Sequence, residues 1–199
     1  MTRQTSLPAL FARITSKYSI YLILLAMLVI CSLLSDAFFS AKNLSNISRQ
    51  ISITTIISFG MTMLIIAGMI DLAAGSVMAL AGIFAVASYK ATGSLIVGMG
   101  VGIAVGIGCN LISGLIVTRF KTPPFIATLA MMTSARGAAL LYTNGQNIYQ
   151  LDQFVIFGQG DIFGVPTPVV FMIGIALLTW YILDYTRFGR HLYAIGGNE

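Results

Sequence analysis

Charged residues are scarce in this chain, and their scarcity restricts its class. Only 9% of the 199 residues are Asp, Glu, Lys or Arg, whereas 57% are hydrophobic. A water-soluble domain carries roughly 25% charged residues. The chain therefore lacks the polar surface that a soluble fold needs, and we predict that it resides in a membrane.

Cysteine and histidine are also rare, which argues against several kinds of site. Cys31 and Cys109 lie inside apolar stretches, and His191 is the single histidine of the sequence. A disulfide framework or a zinc site needs more of these residues at closer spacing. We expect no metal ion and no cofactor.

Motifs for nucleotide hydrolysis and nucleic-acid binding are missing as well. Lys121-Thr122 resembles the end of a phosphate-binding loop, but Leu115 and Phe120 stand where its glycines would be. The eleven Lys and Arg residues are dispersed, with no basic run. We therefore expect neither ATP hydrolysis by this chain nor a nucleic-acid partner.

One short motif resembles a protease signature. Gly158-Gln159-Gly160-Asp161 matches the GxGD pattern of intramembrane aspartyl proteases. That chemistry needs two carboxylates close together, and Asp184 lies at the opposite end of the next apolar run. An ordinary Gly-rich turn explains the motif better, and we predict no catalytic residue and no enzyme activity.

Long apolar runs are abundant, and they predict an all-α membrane protein with about six spans. A span needs about 20 mostly apolar residues. One helix over Ile51–Tyr89 would be about 58 Å long, nearly twice a bilayer core, so we expect a break between Gly68 and Gly75. The six candidate runs are Tyr18–Ser35, Ile51–Ile70, Leu72–Tyr89, Leu95–Thr118, Thr122–Tyr142 and Val165–Leu183.

The positive charges predict the orientation of these spans. With the N-terminus inside, seven Lys and Arg residues fall on the inner side (Arg3, Arg13, Lys17, Arg119, Lys121, Arg187, Arg190) and three on the outer side (Lys42, Arg49, Lys90). Cytoplasmic segments carry the excess of Lys and Arg. We therefore predict a cytoplasmic tail over residues 1–17, a membrane region over 18–185 with a periplasmic loop over 143–164, and a cytoplasmic segment over 186–199.

Two charged residues within or between spans are candidates for the translocation pathway or its gate. Arg136 interrupts the fifth run, where an arginine should face protein or water rather than lipid. Its neighbours Ser134 and Gly137 also suit a structural helix contact. Asp71 either caps the third span or contributes to a gate or ligand contact.

The fourth run carries small residues at every fourth position: Gly98, Gly102, Gly106, Asn110 and Gly114. Such a stripe lets a neighbouring helix approach closely. We predict that the four glycines pack against another helix. Asn110 can donate a hydrogen bond across that contact, and it is the third candidate for the pathway.

Several motifs, in this order and spacing, resemble the permease subunits of bacterial ATP-binding cassette (ABC) importers in the ribose, xylose and galactose branch. The similarity runs from about Asp36 to the last residue. Its motifs are Gly60-Met61-Thr62, Gly68–Ser76, Phe125–Leu129, Arg136-Gly137, Tyr142–Gly145, Gly164–Pro168, Thr186–Arg190 and Ala194–Glu199. One segment departs from the family, which usually has Gly-Ile-Asp-Leu-Ser where this chain has Met69-Ile70-Asp71-Leu72-Ala73. The serine hydroxyl, and any hydrogen bond that it makes in the family, is absent at Ala73.

The resemblance implies the partners and the biological setting. Such permeases pair with a second permease subunit, in a homo- or heterodimer, within the lipid of the bacterial inner membrane. An ATP-binding subunit docks on the cytoplasmic side, and a periplasmic protein delivers the sugar. Family members continue past the Gly-Gly-Asn-Glu segment, so we expect a truncated chain that cannot transport by itself. The implied ATPase contacts are Arg187, Arg190, Gly196, Gly197, Asn198 and Glu199.

Two other function classes remain as alternatives to an ATP-driven sugar permease. A secondary carrier driven by an ion gradient usually has acidic residues within its spans, and Asp71 is the single candidate. A membrane enzyme is the other alternative, and no constellation of reactive residues supports it. The sequence does not identify which sugar is carried.

Overall fold

The computed structural model describes residues 7–149 and 152–197. Asn198 and Glu199, two of the predicted ATPase contacts, lie outside the described residues, as does the start of the predicted N-terminal tail. The described chain forms two compact units that divide within one helix, between Ile47 and Ser48.

Eight α-helices, one 3₁₀ turn and one small hairpin form the secondary structure of the described residues. They are α1 (Leu7–Leu34), α2 (Ala41–Ile66), α3 (Ala74–Thr92), α4 (Leu95–Phe120), α5 (Pro124–Thr143), a 3₁₀ turn (Asp152–Phe154), α6 (Val155–Gln159), β1 (Asp161–Ile162), β2 (Val165–Pro166), α7 (Thr167–Tyr185) and α8 (Arg187–Gly196).

The helices confirm the prediction of a multi-span helical membrane protein. Five of them, α2 to α5 and α7, are long and apolar enough to cross a bilayer. The first predicted span corresponds to Tyr18–Leu34, an apolar helical segment shorter than the other five. It begins at Tyr18, where non-helical backbone angles interrupt α1. The all-α prediction missed the antiparallel pair β1–β2, because two-residue strands leave no periodic pattern in a sequence.

The second span begins ten residues earlier than predicted, at Ala41 instead of Ile51. Ser40 explains the early start, since its Oγ accepts a hydrogen bond of 3.2 Å from the backbone N–H of Asn43 and so caps the helix. The Asn43 side chain donates to the carbonyl of Phe38 at 2.8 Å. Residues 41–50 are mostly polar yet helical, and apolar content alone could not reveal them.

The predicted break between the second and third spans is confirmed. Gly68 adopts a left-handed conformation with φ of 73°, and the N–H of Met69 donates to the carbonyl of Leu64 at 2.8 Å. This pattern is the glycine-terminated helix end that satisfies the last carbonyls. α2 therefore ends at Ile66, and α3 begins at Ala74 after a seven-residue connection.

The core of the second unit lies among α3, α4 and α5. Its buried residues are Ala73, Val77 and Leu80 from the α3 side and Ala135 and Ala139 from α5. Val105 and Cys109 of α4 pack against this cluster. Most apolar side chains of α2, α4 and α7 are exposed in the isolated chain, as expected of helices that face lipid or other membrane segments.

An aromatic ladder joins α3 to α7 through the connecting segment. Successive ring centroids lie 5.3 Å apart for Tyr89 and Phe154, 6.4 Å for Phe154 and Phe157, and 6.0 Å for Phe157 and Phe171. Aromatic pairs at 4.5–7 Å attract one another. The ladder holds the 3₁₀ turn and α6 against the ends of the spans.

Candidate functional site

A cleft of about 740 Å³ opens between α3 and α5. Small residues of α3 form one wall, and α5 together with the residues that follow it forms the other. Its lining residues are Leu72, Gly75, Ser76, Ala79, Gly82, Ile83 and Val86, then Met132, Arg136, Ala139, Leu140 and Thr143, and finally Gly145, Gln146, Asn147 and Ile148. The cleft is mainly apolar, with polar groups concentrated toward the end of α5.

Among the described residues that line this cleft, Arg136 is the one that carries a charge. It lies in the second half of α5, next to the buried Ala135, which fixes that face of the helix against α3. The Arg136 side chain is exposed in the isolated chain. Within residues 7–149 and 152–197, its guanidinium forms no hydrogen bond or ion pair, so its donors are available to a ligand or to another membrane segment.

Asp71 lies in the connection between α2 and α3 and does not line the cleft within the described part of the chain. Its Oδ1 accepts a hydrogen bond of 2.7 Å from the N–H of Ala73. Ala73 is the N-cap residue of α3, and no side-chain cap hydrogen bond is formed by that residue. The Asp71 carboxylate therefore satisfies the N–H just before the first helical residue. The hydroxyl of Thr128 on α5 donates to the carbonyl of Pro124 in its own helix at 2.9 Å. Its oxygen also lies 3.4 Å from the carbonyl oxygen of Ile70, so this connection lies against the start of α5.

Asn110 is separated from both charged candidates, because it lies on an exposed face of α4. Its Nδ2 donates to the carbonyl of Gly106 within the same helix at 2.9 Å. It lines a shallow groove of about 590 Å³ with Gly106, Gly114 and the apolar residues Ile103, Ile107, Leu111 and Leu115. The structure therefore brings none of the three pathway candidates together.

The small-residue stripe of α4 divides into two parts. A Cβ atom added at Gly98 would lie 2.8 Å from the carbonyl oxygen of Ala85, and one at Gly102 would lie 3.0 Å from Ala85 Cβ. Gly98 and Gly102 thus lie directly against α3. Added Cβ atoms at Gly106 and Gly114 would meet nothing within 4 Å, so these two glycines face away from the described helices.

The four described residues proposed as ATPase contacts lie on α8 or directly after it. Thr186 begins this helix by accepting a hydrogen bond of 3.2 Å from the N–H of Gly189. Arg187 and Arg190 are exposed. Gly196 lies so close to the carbonyl of Ile66, at the end of α2, that a Cβ atom there would overlap it, and Gly197 follows as the helix cap.

Sequence reasoning missed two contacts that organise the segment between α5 and α7. Arg49 Nη2 donates to Asp161 Oδ1 at 3.0 Å and to the carbonyl of Gln159 at 2.9 Å. Lys90 Nζ donates to the carbonyl of Tyr149 at 2.7 Å. Arg49 and Asp161 carry opposite charges and were predicted on the same side of the membrane, which was a weak signal for the first contact. Because they are 112 positions apart, no local sequence pattern could have paired them.

The GxGD motif is part of the turn into β1. Asp161 pairs with Arg49, and the length of α7, about 28 Å for 19 residues, separates it from Asp184. Among the described residues, no group of three or more His, Cys, Asp and Glu residues could hold a metal ion.

Comparison with known proteins identifies related sequences. Residues 43–199 match a family described as the permease component of the branched-chain amino acid transport system. The chain is 40% identical over 181 residues to the ribose import permease protein RbsC of Escherichia coli strain K12, and the match covers 88% of this chain and 56% of that protein.

Two further relatives extend the comparison. The Bacillus subtilis strain 168 protein RbsC, also a ribose import permease, is 37% identical over 198 residues, covering 95% of this chain and 60% of the relative. The D-allose transport system permease protein AlsC of Escherichia coli K12 is 32% identical over 195 residues, covering 96% and 60%. The chain thus spans 56% to 60% of the length of these relatives. No solved structure matches it.

Proposed function

The chain belongs to the family of permease components of the branched-chain amino acid transport system type, and we propose that it is the membrane-spanning part of an ATP-driven importer of ribose or a related monosaccharide. The resemblance that the motifs indicated is confirmed at the level of the family. The family match does not extend to the cargo or the partners of this chain, and these are the content of the proposal.

The similarity to ribose permeases carries this proposal. Identity of 37–40% to ribose import permeases extends over 88–95% of the chain in both Escherichia coli and Bacillus subtilis. Identity to the D-allose permease is lower, at 32%. A cargo closer to ribose than to allose is therefore the favoured choice.

The geometry is compatible with a transport role. The cleft between α3 and α5 has a polar end and a cationic side chain, and ionisable groups inside a membrane bundle commonly mark solute pathways. Since the chain has no phosphate-binding loop, the energy would come from a cytoplasmic ATP-binding partner.

The proposed arrangement places both ends of the chain in the cytoplasm of a bacterial inner-membrane protein. The loop over residues 143–164 would then face the periplasm and a sugar-delivery protein. α8, with Arg187 and Arg190, would face the ATP-binding subunit, and a second permease subunit would complete the pathway. The unequal distribution of positive charge supports this orientation.

Deletion of the encoding gene in its native organism tests the function. We expect the loss of high-affinity uptake of radiolabelled D-ribose, D-allose or L-arabinose, and recovery when the gene is returned. L-arabinose is included because the L-arabinose transport system permease protein AraH of Escherichia coli K12 is 30% identical to this chain over 190 residues. Uptake should fall when arsenate depletes ATP and should persist when a protonophore collapses the proton gradient at maintained ATP. Unchanged uptake of all three sugars would refute the cargo, and sensitivity to the protonophore alone would indicate a secondary carrier.

A further inference from the structure

We propose that the cleft between α3 and α5 is a binding site for a neutral monosaccharide, with Arg136 as the residue that holds the sugar hydroxyls. The inference rests on the proposed function and adds to it a defined site within one subunit. Its three supports are the shape of the cleft, the unused donors of Arg136 and the polar groups near the end of α5.

The cleft has the dimensions of a small-molecule site. Its volume of about 740 Å³ lies within the roughly 300–1,000 Å³ typical of ligand pockets. The space exists because α3 presents Gly75, Ala79 and Gly82 at this face. A Cβ atom added at Gly75 or Gly82 would meet nothing within 4 Å, so these glycines are not required for contact with the described helices and instead keep the cleft open.

The chemistry of the lining suits a polyol. A guanidinium presents several N–H donors in one plane, which can engage two neighbouring hydroxyl oxygens. The amides of Gln146 and Asn147, after the end of α5, add groups that both donate and accept. The apolar remainder of the wall can contact the C–H faces of a sugar ring. No carboxylate lines the cleft in the described part of the chain, so Arg136 would keep its donors for the ligand.

Packing by another apolar helix would explain the cleft poorly. Such a helix would cover Arg136, which has no partner among the described residues, and an uncompensated arginine in the apolar core is costly. A hydrated passage that a sugar enters and leaves satisfies the guanidinium in both states, with water in one and with hydroxyls in the other.

Cysteine labelling in the assembled importer tests the site. In a chain carrying Cys31→Ser and Cys109→Ser, Gly82→Cys places a thiol in the cleft, and Ala79→Cys provides a second position. The control is Gly106→Cys, which faces the separate groove on α4. Membranes are treated with a maleimide, with and without whichever of D-ribose, D-allose and L-arabinose the gene transports.

We expect the sugar to slow labelling at residue 82 or 79 about tenfold when it is present at ten times its dissociation constant. Labelling at residue 106 should not change. Labelling that the sugar does not affect would overturn the proposal, and so would a thiol that never reacts because protein fills the cleft. Protection by D-gluconate instead of the neutral sugar would overturn the assigned ligand class.

Variants of Arg136 separate binding from a structural role. Arg136→Lys retains the charge but loses the planar fork. In the Gly82→Cys background, we expect this change to raise the sugar concentration that gives half-protection about tenfold. This factor corresponds to the weakening of one hydrogen bond between the charged side chain and a sugar hydroxyl. Thr133→Ala is the matched control, because its hydroxyl bonds to the α5 backbone at Ala130 and does not line the cleft. If Arg136 had a purely structural role, Arg136→Lys would change the rate of labelling measured without sugar. The sugar concentration that gives half-protection would then stay the same.

The two proposals fail in different ways. If the parent gene restores no uptake of any of the three sugars, the proposed function fails. If uptake is restored but the sugar protects neither position in the cleft, the function stands and the site is wrong.

Discussion

At the scale of single residues, Arg49 makes polar contacts with residues more than a hundred positions away in the chain. It connects α2 to the β1–β2 hairpin through the carboxylate of Asp161 and the carbonyl of Gln159. The Arg49 and Asp161 side chains are 20% and 51% exposed. Water therefore screens the pair, and its contribution to stability should be at most about 1 kcal/mol. Its main consequence is the position of the hairpin.

We predict that Arg49→Ala loosens the hairpin without unfolding the protein. The variant removes both hydrogen bonds, whereas Asp161→Asn keeps an acceptor at the same place and should have a smaller effect. Limited proteolysis between residues 145 and 166 should accelerate in Arg49→Ala, and the melting temperature of the purified protein should fall by only a few degrees. Lys42→Ala, which removes an exposed cation from the same helix, is the control. Equal proteolysis in all variants would contradict a positional role.

Asp71 determines how α3 begins. Its carboxylate accepts from the N–H of Ala73, a residue that is only 1% exposed. We predict that Asp71→Ala destabilises the protein by about 1 kcal/mol, as for one lost hydrogen bond to a buried N–H, and that Asp71→Asn retains most of the stability. Thermal unfolding in detergent measures both variants. A full loss of transport in a fully stable Asp71→Asn protein would instead assign Asp71 to a gate.

At the scale of elements, α4 presents two different faces. The face with Gly98 and Gly102 lies against α3 at backbone distance, whereas the face with Gly106, Asn110 and Gly114 is open. The sequence repeat of four residues suggested a single packing stripe. Packing of the open part against a helix of another subunit or segment stays a prediction.

We predict that leucine substitutions distinguish the two faces. Gly102→Leu must push α3 and α4 apart, because a Cβ atom already lies 3.0 Å from Ala85 Cβ and 3.3 Å from the carbonyl oxygen of Ala81. It should destabilise the chain by about 1–3 kcal/mol. Gly106→Leu should leave the stability of the subunit intact and reduce assembly only if the open groove binds another helix. Thermal unfolding and size-exclusion chromatography in detergent provide the two measurements, and equal destabilisation by both variants would contradict this division.

At the scale of the whole molecule, orientation is the central prediction. With α2 to α5 and α7 as consecutive crossings, the segment around Arg49, Lys90 and Asp161 shares one side, and α8 lies on the other. The hydrogen bonds from Arg49 to Asp161 and from Lys90 to Tyr149 are compatible with that alternation, since they join ends that the predicted topology places together.

Reporter fusions test the orientation. A reporter that is active only in the periplasm should be silent when fused after Glu199 and active when inserted between Gly145 and Asp161. The measurement is enzyme activity normalised to the amount of fusion protein. Periplasmic activity from the fusion after Glu199 would exclude an even number of crossings with the N-terminus inside.

The sequence alone determined the class of the molecule, the number of apolar runs and the break between α2 and α3. These properties follow from hydrophobic length and from glycine conformation, which act locally. It also indicated the family, through motifs whose order needs no structure. The start of α2 was misplaced because a serine cap, and not apolar content, begins that helix.

Tertiary structure alone decided which residues share a surface. The sequence nominated Asp71, Asn110 and Arg136 together, but the fold separates them into a helix connection, an open groove and a cleft. The fold likewise divides the glycine stripe of α4 into a packed and an open part, and it brings Arg49 and Asp161 together. These outcomes depend on how helices rotate about their axes and pack against one another. Such rotations are determined by contacts between residues far apart in the chain, for which a single sequence contains no local signal.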